Sequence, residues 1–388
     1  MMKISIIGAG NAGCFTALQL ADYAKDAGLD LVIEIIYNPE ISPQRVGQAT
    51  FPHHSFLLWN SLPNEFNWEK NQVDATLKTG INYEGWGKVN KQFFHPFPAH
   101  QAGMHFYPPS LQSFVLNSGI FDIKAGDVKD YSEVDADFIF DCRGRPKDLL
   151  EDSYTPLVNP INTCLLCKPK WDTSGNPFTR AVATQDGWSF ILPSKPNSPS
   201  SQGSLGYLYN RSITGKSDAI QNLKNRFDVY TTDYIEFDNY IAKEPIIDER
   251  VFLNGNRLYF LEPLEATAIF IYTEWVVKCC GAILSYDKKP CIERLKIEIH
   301  QLIHQVERFI LWHYQSGSQY DSKFWDYASK LEIEKPDPKF DELIKSLNQT
   351  SLIGVKHSEQ SGRFPGGNYG VWAPTSGKYW LEGIGAES

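Results

Sequence analysis

The sequence predicts an α/β fold, a Rossmann-type core on a parallel sheet followed by a mainly helical C-terminal part. Three observations carry that reading. An apolar strand from Lys3 runs into the glycine turn "GAGNAG" and then a helix, and a second apolar strand, "LVIEIIYN", follows: a βαβ opening. "ADFIFDCRG" (136 to 144) is a further apolar run, ending in Asp141, of the kind that parallel sheets bury on both faces. From about Cys291 to Leu331, Leu295, Ile299, Leu302, Ile303, Val306, Phe309 and Ile310 recur at helical spacing.

Taken in order, the helix after the turn spans Cys14 to Ala27, with Phe15, Leu18 and Ala21 on one face. "DATLKTGINYEGW" (74 to 86) alternates as a strand does and carries Lys78, which on lysine's habits alone would be a surface residue. "FFHPF" (93 to 97) and "DGWSFILP" (186 to 193) are aromatic-rich, and core packing accounts for either. "SKPNSPSSQG" (194 to 203) reads as a surface loop. "YFLEPLEATAIFIY" (259 to 272) sets Glu262 and Glu265 in an apolar stretch. Burying an ionised carboxylate costs several kcal/mol unless it is paired, so one of the two faces water or is used. The last fifty residues, rich in Gly, Ser and Pro, give no assignable pattern.

Composition narrows the function classes. At 388 residues the chain can bury a large core, and 21% charged with 42% hydrophobic residues is globular. A net charge of -9 argues against nucleic-acid binding and for a small-molecule partner. Seven cysteines, an odd and scattered set, point to a reducing cytoplasm rather than a disulfide framework. Cys164 and Cys167 form CxxC without a second pair, and "HQLIH" lacks the glutamate of HExxH, so no metal site is expected. The start lacks the features of a signal peptide, and the three glutamates in the 259 to 274 region argue against a membrane span. Nothing speaks against a homo-oligomer.

Gly8, Gly10 and Gly13 have the GxGxxG spacing between strand and helix. That spacing allows a tight turn, close backbone approach to a pyrophosphate, and close helix packing. An acid commonly ends the second strand to hold a ribose, but Tyr37 and Asn38 stand there, with Glu40 just beyond.

Together these stretches resemble one family, the flavin-dependent halogenases of the tryptophan-halogenase type. The likeness is ordered along nearly the whole chain: "GAGNAG"; "RVGQAT" (45 to 50), similar to GVGEAT; "DATLKTGINYEGW"; "FFHPF"; "ADFIFDCRG"; "DGWSFILP", similar to GWxWxIP; "LGYLYN"; "FLEPLEAT", similar to FxEPLEST; and "VERFILWHYQSGSQYDSKFW" (306 to 325). The resemblance implies a flavoprotein monooxygenase-like core binding FAD over residues 1–290, with 291–388 on the substrate side. It also implies a separate flavin reductase that supplies FADH2. Reduced FAD and O2 then convert a halide ion to hypohalous acid, which travels inside the protein to an electron-rich aromatic substrate.

Carried over residue by residue, the resemblance implies catalytic roles for Lys78 and Glu265, with Glu262 structural. FAD falls to Gly8, Ala9, Gly10, Ala12, Gly13, Asn38, Ile41, Gln48, Ala49 and Asp141. Halide falls to the N–H groups of Thr267 and Ala268, substrate to His95 and Phe97, and Trp188, Phe190 and Pro193 screen flavin from substrate. At an unperturbed pKa of about 10.4, only about one lysine in 2,500 is neutral at pH 7. Lys78 therefore either donates a hydrogen bond to hypohalous acid or has a depressed pKa that permits a haloamine. An ionised Glu265 nearby would keep it charged and favours the donor role.

The chain departs from the family pattern at Gln48, Phe190, Ala266 and Ala268, which stand for glutamate, tryptophan, serine and glycine, and it is short after "FW". The short tail suggests broad substrate scope, and the lost serine hydroxyl suggests bromide or iodide over chloride. A flavin-dependent aromatic hydroxylase is the nearest alternative and a non-enzymatic flavin-binding protein a more distant one. Lys78 and Glu265 argue against the hydroxylase.

Overall fold

The strand Met2–Ile7 sits inside a six-stranded sheet, flanked by Leu31–Tyr37 on one side and Phe138–Asp141 on the other, both parallel to it. Asp122–Ala125 extends the sheet beyond Leu31–Tyr37, and Val251–Leu253 and Ile246–Ile247 extend it beyond Phe138–Asp141. Only the last of these pairs antiparallel. The computed structural model describes the chain apart from residues 53–56, 59, 62–66, 99–100, 146–151, 194, 196–202 and 387–388. Most of the expected 194 to 203 loop therefore lies outside the described residues.

A second, seven-stranded sheet runs in the order Tyr234–Glu236, Thr163–Cys167, Ser204–Tyr209, Gly187–Leu192, Thr179–Thr184, Gly80–Glu84 and Gln92–Pro96. Its strands pair antiparallel except where Gly80–Glu84 meets Thr179–Thr184. It carries His95 and the Trp188 run. A small sheet of Gln48–Ala49, Gly103–Phe106 and Thr76–Lys78 holds Lys78 at a strand end. The remaining one, of Tyr154–Pro156, Tyr240–Ala242 and Tyr259–Phe260, delivers the chain to Glu262 and Glu265.

Two helices link the glycine turn to the rest. Asn11–Ala27 packs on Ala268–Ile283, which packs in turn on the long helix Lys288–Gln315. The stretch Leu264–Ile283 is long and apolar enough to cross a membrane by length and composition, but most of it is buried inside the protein. Its apolar character serves the core here: Ile271, Trp275, Val276 and Cys279 are almost inaccessible.

The helical reading of 291 to 331 corresponds to Lys288–Gln315 and the short helix Lys323–Ala328. The tail, without a pattern in sequence, forms three more helices: Pro338–Gln349, Leu352–Gln360 and Pro374–Ile384. Its Ser and Pro content marks helix starts. Asp337 caps the first through Lys339 N and Phe340 N, Ser351 caps the second through Gly354 N, and Pro338 and Pro374 sit where a helix needs no N–H donor. The last helix lies against the strand Gln92–Pro96 and against both preceding helices. One hydrophobic core accordingly runs from Ile4 to Ile384, and a smaller one lies under the helix Lys216–Phe227.

Candidate active site

The glycine turn has two kinds of glycine. A Cβ on Gly8, whose φ is +104°, would lie 2.8 Å from the Cys142 carbonyl oxygen, and one on Gly13 would lie 1.9 Å from the Gly8 carbonyl oxygen. Both are required by packing. Gly10 is different: a Cβ there would meet nothing within 4 Å, and its φ of -73° is open to any residue. Gly10 heads the helix Asn11–Ala27, which has no side-chain cap, so the first N–H groups are left for a ligand. The buried Asn11 Oδ1 beside it likewise has no partner among the described residues. An open glycine and an uncapped helix start fit a dinucleotide pyrophosphate.

Around this turn, Gln112 Nε2 donates to the Ala9 carbonyl at 2.8 Å, and Ala12 is buried against Gly255. Asn38 and Ile41 form a turn after the second strand, with Ile41 exposed. Gln48 and Ala49 pair with Phe106 and His105. Asp141 is wholly buried at its strand end, where Arg143 Nη2 (2.7 Å), Arg257 Nε (3.2 Å) and Tyr131 Oη (2.7 Å) all reach Oδ2. Burial pushes its pKa up, but these partners outweigh it and hold the carboxyl below its usual range.

The two acids of "FLEPLEAT" are both buried, in opposite states. Glu262 Oε2 accepts from Trp188 Nε1 at 3.2 Å and Tyr314 Oη at 2.9 Å, while Oε1 has no partner among the described residues. Burial pushes Glu262 up to about 8, despite those two donors, so it is a neutral acid at pH 7. Glu265 Oε1 accepts from Tyr83 Oη and pairs with His313 Nε2 at 3.2 Å, and Oε2 accepts from Trp372 Nε1 at 3.2 Å. Burial would raise it as well, but His313, His95 and Tyr83 together hold it at about 2. Glu265 and Ala266 have φ of +70° and +55°, a left-handed pair that costs roughly 1–2 kcal/mol per residue and turns the carboxylate toward its three donors.

Lys78 is 1% exposed, with its ammonium 5.1 Å from the Phe97 ring centroid and no hydrogen bond or ion pair among the described residues. Burial pulls its pKa down to about 8 against the opposing effect of Glu265. The expectation that Glu265 would keep the lysine fully charged is thus outweighed by desolvation, and at pH 7 about one in ten is neutral. His95 Nε2 contacts Ser376 Oγ at 2.9 Å, and burial lowers its pKa. Phe97 stacks on Phe51, whose ring lies 5.8 Å from Phe270.

Trp188 and Phe190 lie 6.3 Å apart on one strand, and the buried Pro193 follows it. Thr267 and Ala268 begin the helix Ala268–Ile283, again without a side-chain cap. The structure thus brings Lys78, His95, Phe97, Glu265 and the helix start into one region, joined to the Trp188 run through Glu262. The glycine turn opens Asn11–Ala27, whose first turns meet those of Ala268–Ile283 through Asn254, which donates to both Thr16 Oγ1 and the Tyr272 carbonyl.

Several site residues were not singled out in the sequence. Tyr83 and His313 stand inside quoted stretches that resemble the family, which was the available signal. Trp372 and Ser376 come from the unassigned tail, and nothing in the local sequence marked them. Trp372 stacks on Phe309 with centroids 3.8 Å apart, and Trp380 lies 4.1 Å from His313, so the tail walls this region with aromatic rings. The cysteines are all free, His300 bonds the Ala242 carbonyl, His304 pairs with Glu307, and no metal-holding group occurs among the described residues.

Known proteins resemble this chain in sequence and in fold. The profile of the family described as tryptophan halogenase matches residues 3–118 and 111–387. The chain is 22% identical over 429 residues to the tryptophan 7-halogenase KtzQ of Kutzneria sp. (strain 744), covering 85% of this chain and 79% of that protein. Its fold is similar to that of a tryptophan halogenase from Shewanella frigidimarina (TM-score 0.80, 18% identity, 99% of this chain and 89% of that one). It is also similar to Xcc4156, a flavin-dependent halogenase from Xanthomonas campestris (TM-score 0.78, 19% identity, 99% and 89%). With the profile spanning almost every residue, the chain belongs to the tryptophan halogenase family of flavin-dependent oxidoreductases.

Proposed function

We propose that this chain halogenates an electron-rich aromatic small molecule, with FAD on the glycine turn and transfer chemistry at Lys78 and Glu265. The observation that carries it is Glu265, a buried carboxylate kept ionised by three donors in the same region as a desolvated Lys78 that has no ion pair among the described residues. When bound, reduced FAD with O2 supplies the oxidising power that turns halide into hypohalous acid. Lys78 holds that electrophile by a hydrogen bond from its ammonium or, in its neutral fraction, as a haloamine. Glu265 orients it and stabilises the positive charge that develops on the ring under attack. His95 and Phe97 flank the ring, and Trp188, Phe190 and Pro193 separate it from the flavin. Residues 1–290 would form the flavin and catalytic part and 291–388 the substrate side, in a cytoplasmic enzyme fed by a separate reductase. Incubation with FAD, reductase, NADH, mixed halides and an aromatic panel, read by mass spectrometry, tests this. No halogenated product from any aromatic overturns it.

Broad scope is supported by the makeup of the wall. Trp372, Trp380, Phe309 and Phe97 wall the region with aromatic rings, whose apolar surface discriminates weakly between related aromatics. Phenols, anilines and indoles are expected to be turned over at comparable efficiency.

Gly10→Val is expected to fold with near wild-type thermal stability, because a Cβ there meets no atom within 4 Å, and to lose FAD binding in titration. Unchanged FAD affinity would move the cofactor elsewhere. For the halide, the uncapped helix start at Thr267 and Ala268 offers N–H donors in apolar surroundings, with no serine hydroxyl at 266. A larger, weakly hydrated anion surrenders less solvation on burial, so bromide or iodide should be incorporated in preference to chloride. Ala266→Ser should shift the ratio toward chloride in a competition at equal concentrations, and clear chloride preference in the wild type refutes this.

A further inference from the structure

His313 had no part in the chemistry assigned so far, yet its two ring nitrogens fix its charge. Nδ1 lies 2.8 Å from the Phe309 carbonyl, one turn back on its own helix. A carbonyl only accepts, so Nδ1 carries a proton. Nε2 lies 3.2 Å from Glu265 Oε1, another acceptor, so a second proton must lie between these two atoms. It resides either on the imidazole or on the carboxyl.

The surroundings of Glu265 decide between them. Tyr83 donates to the same Oε1, and Trp372 donates to Oε2. Hydrogen bonds to a carboxyl favour its charged form, and here three donors converge on one group. A carboxylate has about four lone-pair sites, so the three donors leave one, on Oε2, to face a reactant. The proton therefore belongs to His313.

The other ionisable groups around His313 do not change this. From the strand Gly80–Glu84 comes Tyr83, already counted, and from Gln92–Pro96 comes His95, whose Nε2 is turned to Ser376. On its own helix Glu307 bonds Val158 N and His304, and Tyr314 bonds Glu262. Lys378 of the last helix gives its Nζ to the Leu347 carbonyl. Lys78 makes no ion pair with Glu265 among the described residues and lies against Phe97.

We propose that His313, with an acceptor at each ring nitrogen, is an imidazolium and the resident counter-ion of Glu265, a positioning residue that leaves Lys78 free to gain or lose its proton. The proposal rests on the functional reading above and deepens it. A buried carboxylate without a counter-ion would favour the charged form of the nearest amine and lock Lys78 as an ammonium. With His313 in place, that charge is already balanced, and the lysine keeps a proton that the reaction can move.

His313→Gln tests this, since the amide can still donate to Glu265 but carries no charge. In the wild type the pH profile of aromatic halogenation should show a limb near pH 8 from Lys78. In the variant that limb should move up by about one pH unit or more, whereas a merely structural residue would lower the rate and leave the limb in place. An unmoved limb overturns the proposal. A second measurement uses the unaltered protein: with 15N-labelled histidine, one of the nine histidines should keep both ring nitrogens protonated at pH 8.5. Its signal should vanish in His313→Gln or, if that variant fails to fold, in His313→Asn. No doubly protonated histidine at that pH overturns the proposal. If no halogenation occurs at any pH, the functional reading fails while the labelling result still decides the charge of His313.

Discussion

Lys78→Ala and Glu265→Gln should each cut aromatic halogenation by roughly 100- to 10,000-fold while hypohalous acid is still made. Neither residue touches the glycine turn, and neither contributes to the helix start proposed for the halide, so oxidation of the halide has no need of them. What each loses differs. Alanine removes the ammonium that lies against Phe97 and would hold the electrophile beside the ring. Glutamine keeps the shape of the carboxylate, but its single carbonyl oxygen can accept from the Trp372 side or the Tyr83 side and not from both, and it takes away the negative charge that the developing cation needs. The measurement is product halogenation by mass spectrometry, beside a small-molecule trap added to report free hypohalous acid. Wild-type product yields from both variants would overturn the assignment.

Glu262→Gln should stabilise the protein at alkaline pH by up to about 5 kcal/mol and change little at pH 5. Burial raises the folded pKa of Glu262 from the ordinary 4.5 to about 8. Above pH 4.5 the unfolded chain gives up this proton while the native protein keeps it. The stability linked to Glu262 is therefore fully present below about pH 4.5 and is lost as pH rises through 8. Each pH unit in that window costs about 1.4 kcal/mol. Glutamine resembles the protonated acid, accepting from Trp188 and Tyr314 with no charge to bury. Thermal unfolding of both proteins at pH 5, 7 and 8.5 checks it, and parallel melting curves across that range would show that Glu262 is ionised in the native state.

How far the sequence could be read depended on the range of each interaction. The parallel core was legible because "KISII", "LVIEIIY" and "DFIF" are continuous apolar runs, the mark of strands buried on both faces. Lys78 and Glu265 were legible through short ordered motifs. Glu262 was recognised as structural, but its protonated state follows from burial beside Trp188 and Tyr314, which no local pattern encodes. Tyr83 and His313 were in view without a role, because their importance is a contact with Glu265 across 182 and 48 residues. The tail was opaque for another reason. Its helices are short, their starts are set by Asp, Ser and Pro, and Trp372 lies between two of them in a bridge from Tyr369, so it belongs to no periodic face.

That placement of Trp372 bears on how the enzyme comes into being. The ribosome has released both large sheets, the glycine turn and Lys78 well before it reaches residue 372, which brings the indole that donates to Glu265. Ser376, which meets His95, comes later still. A nascent chain that has not reached residue 372 lacks one of the three donors that meet Glu265. Synthesis order therefore separates the pairing of the sheets from the closing of the Glu265 environment, which waits for the tail.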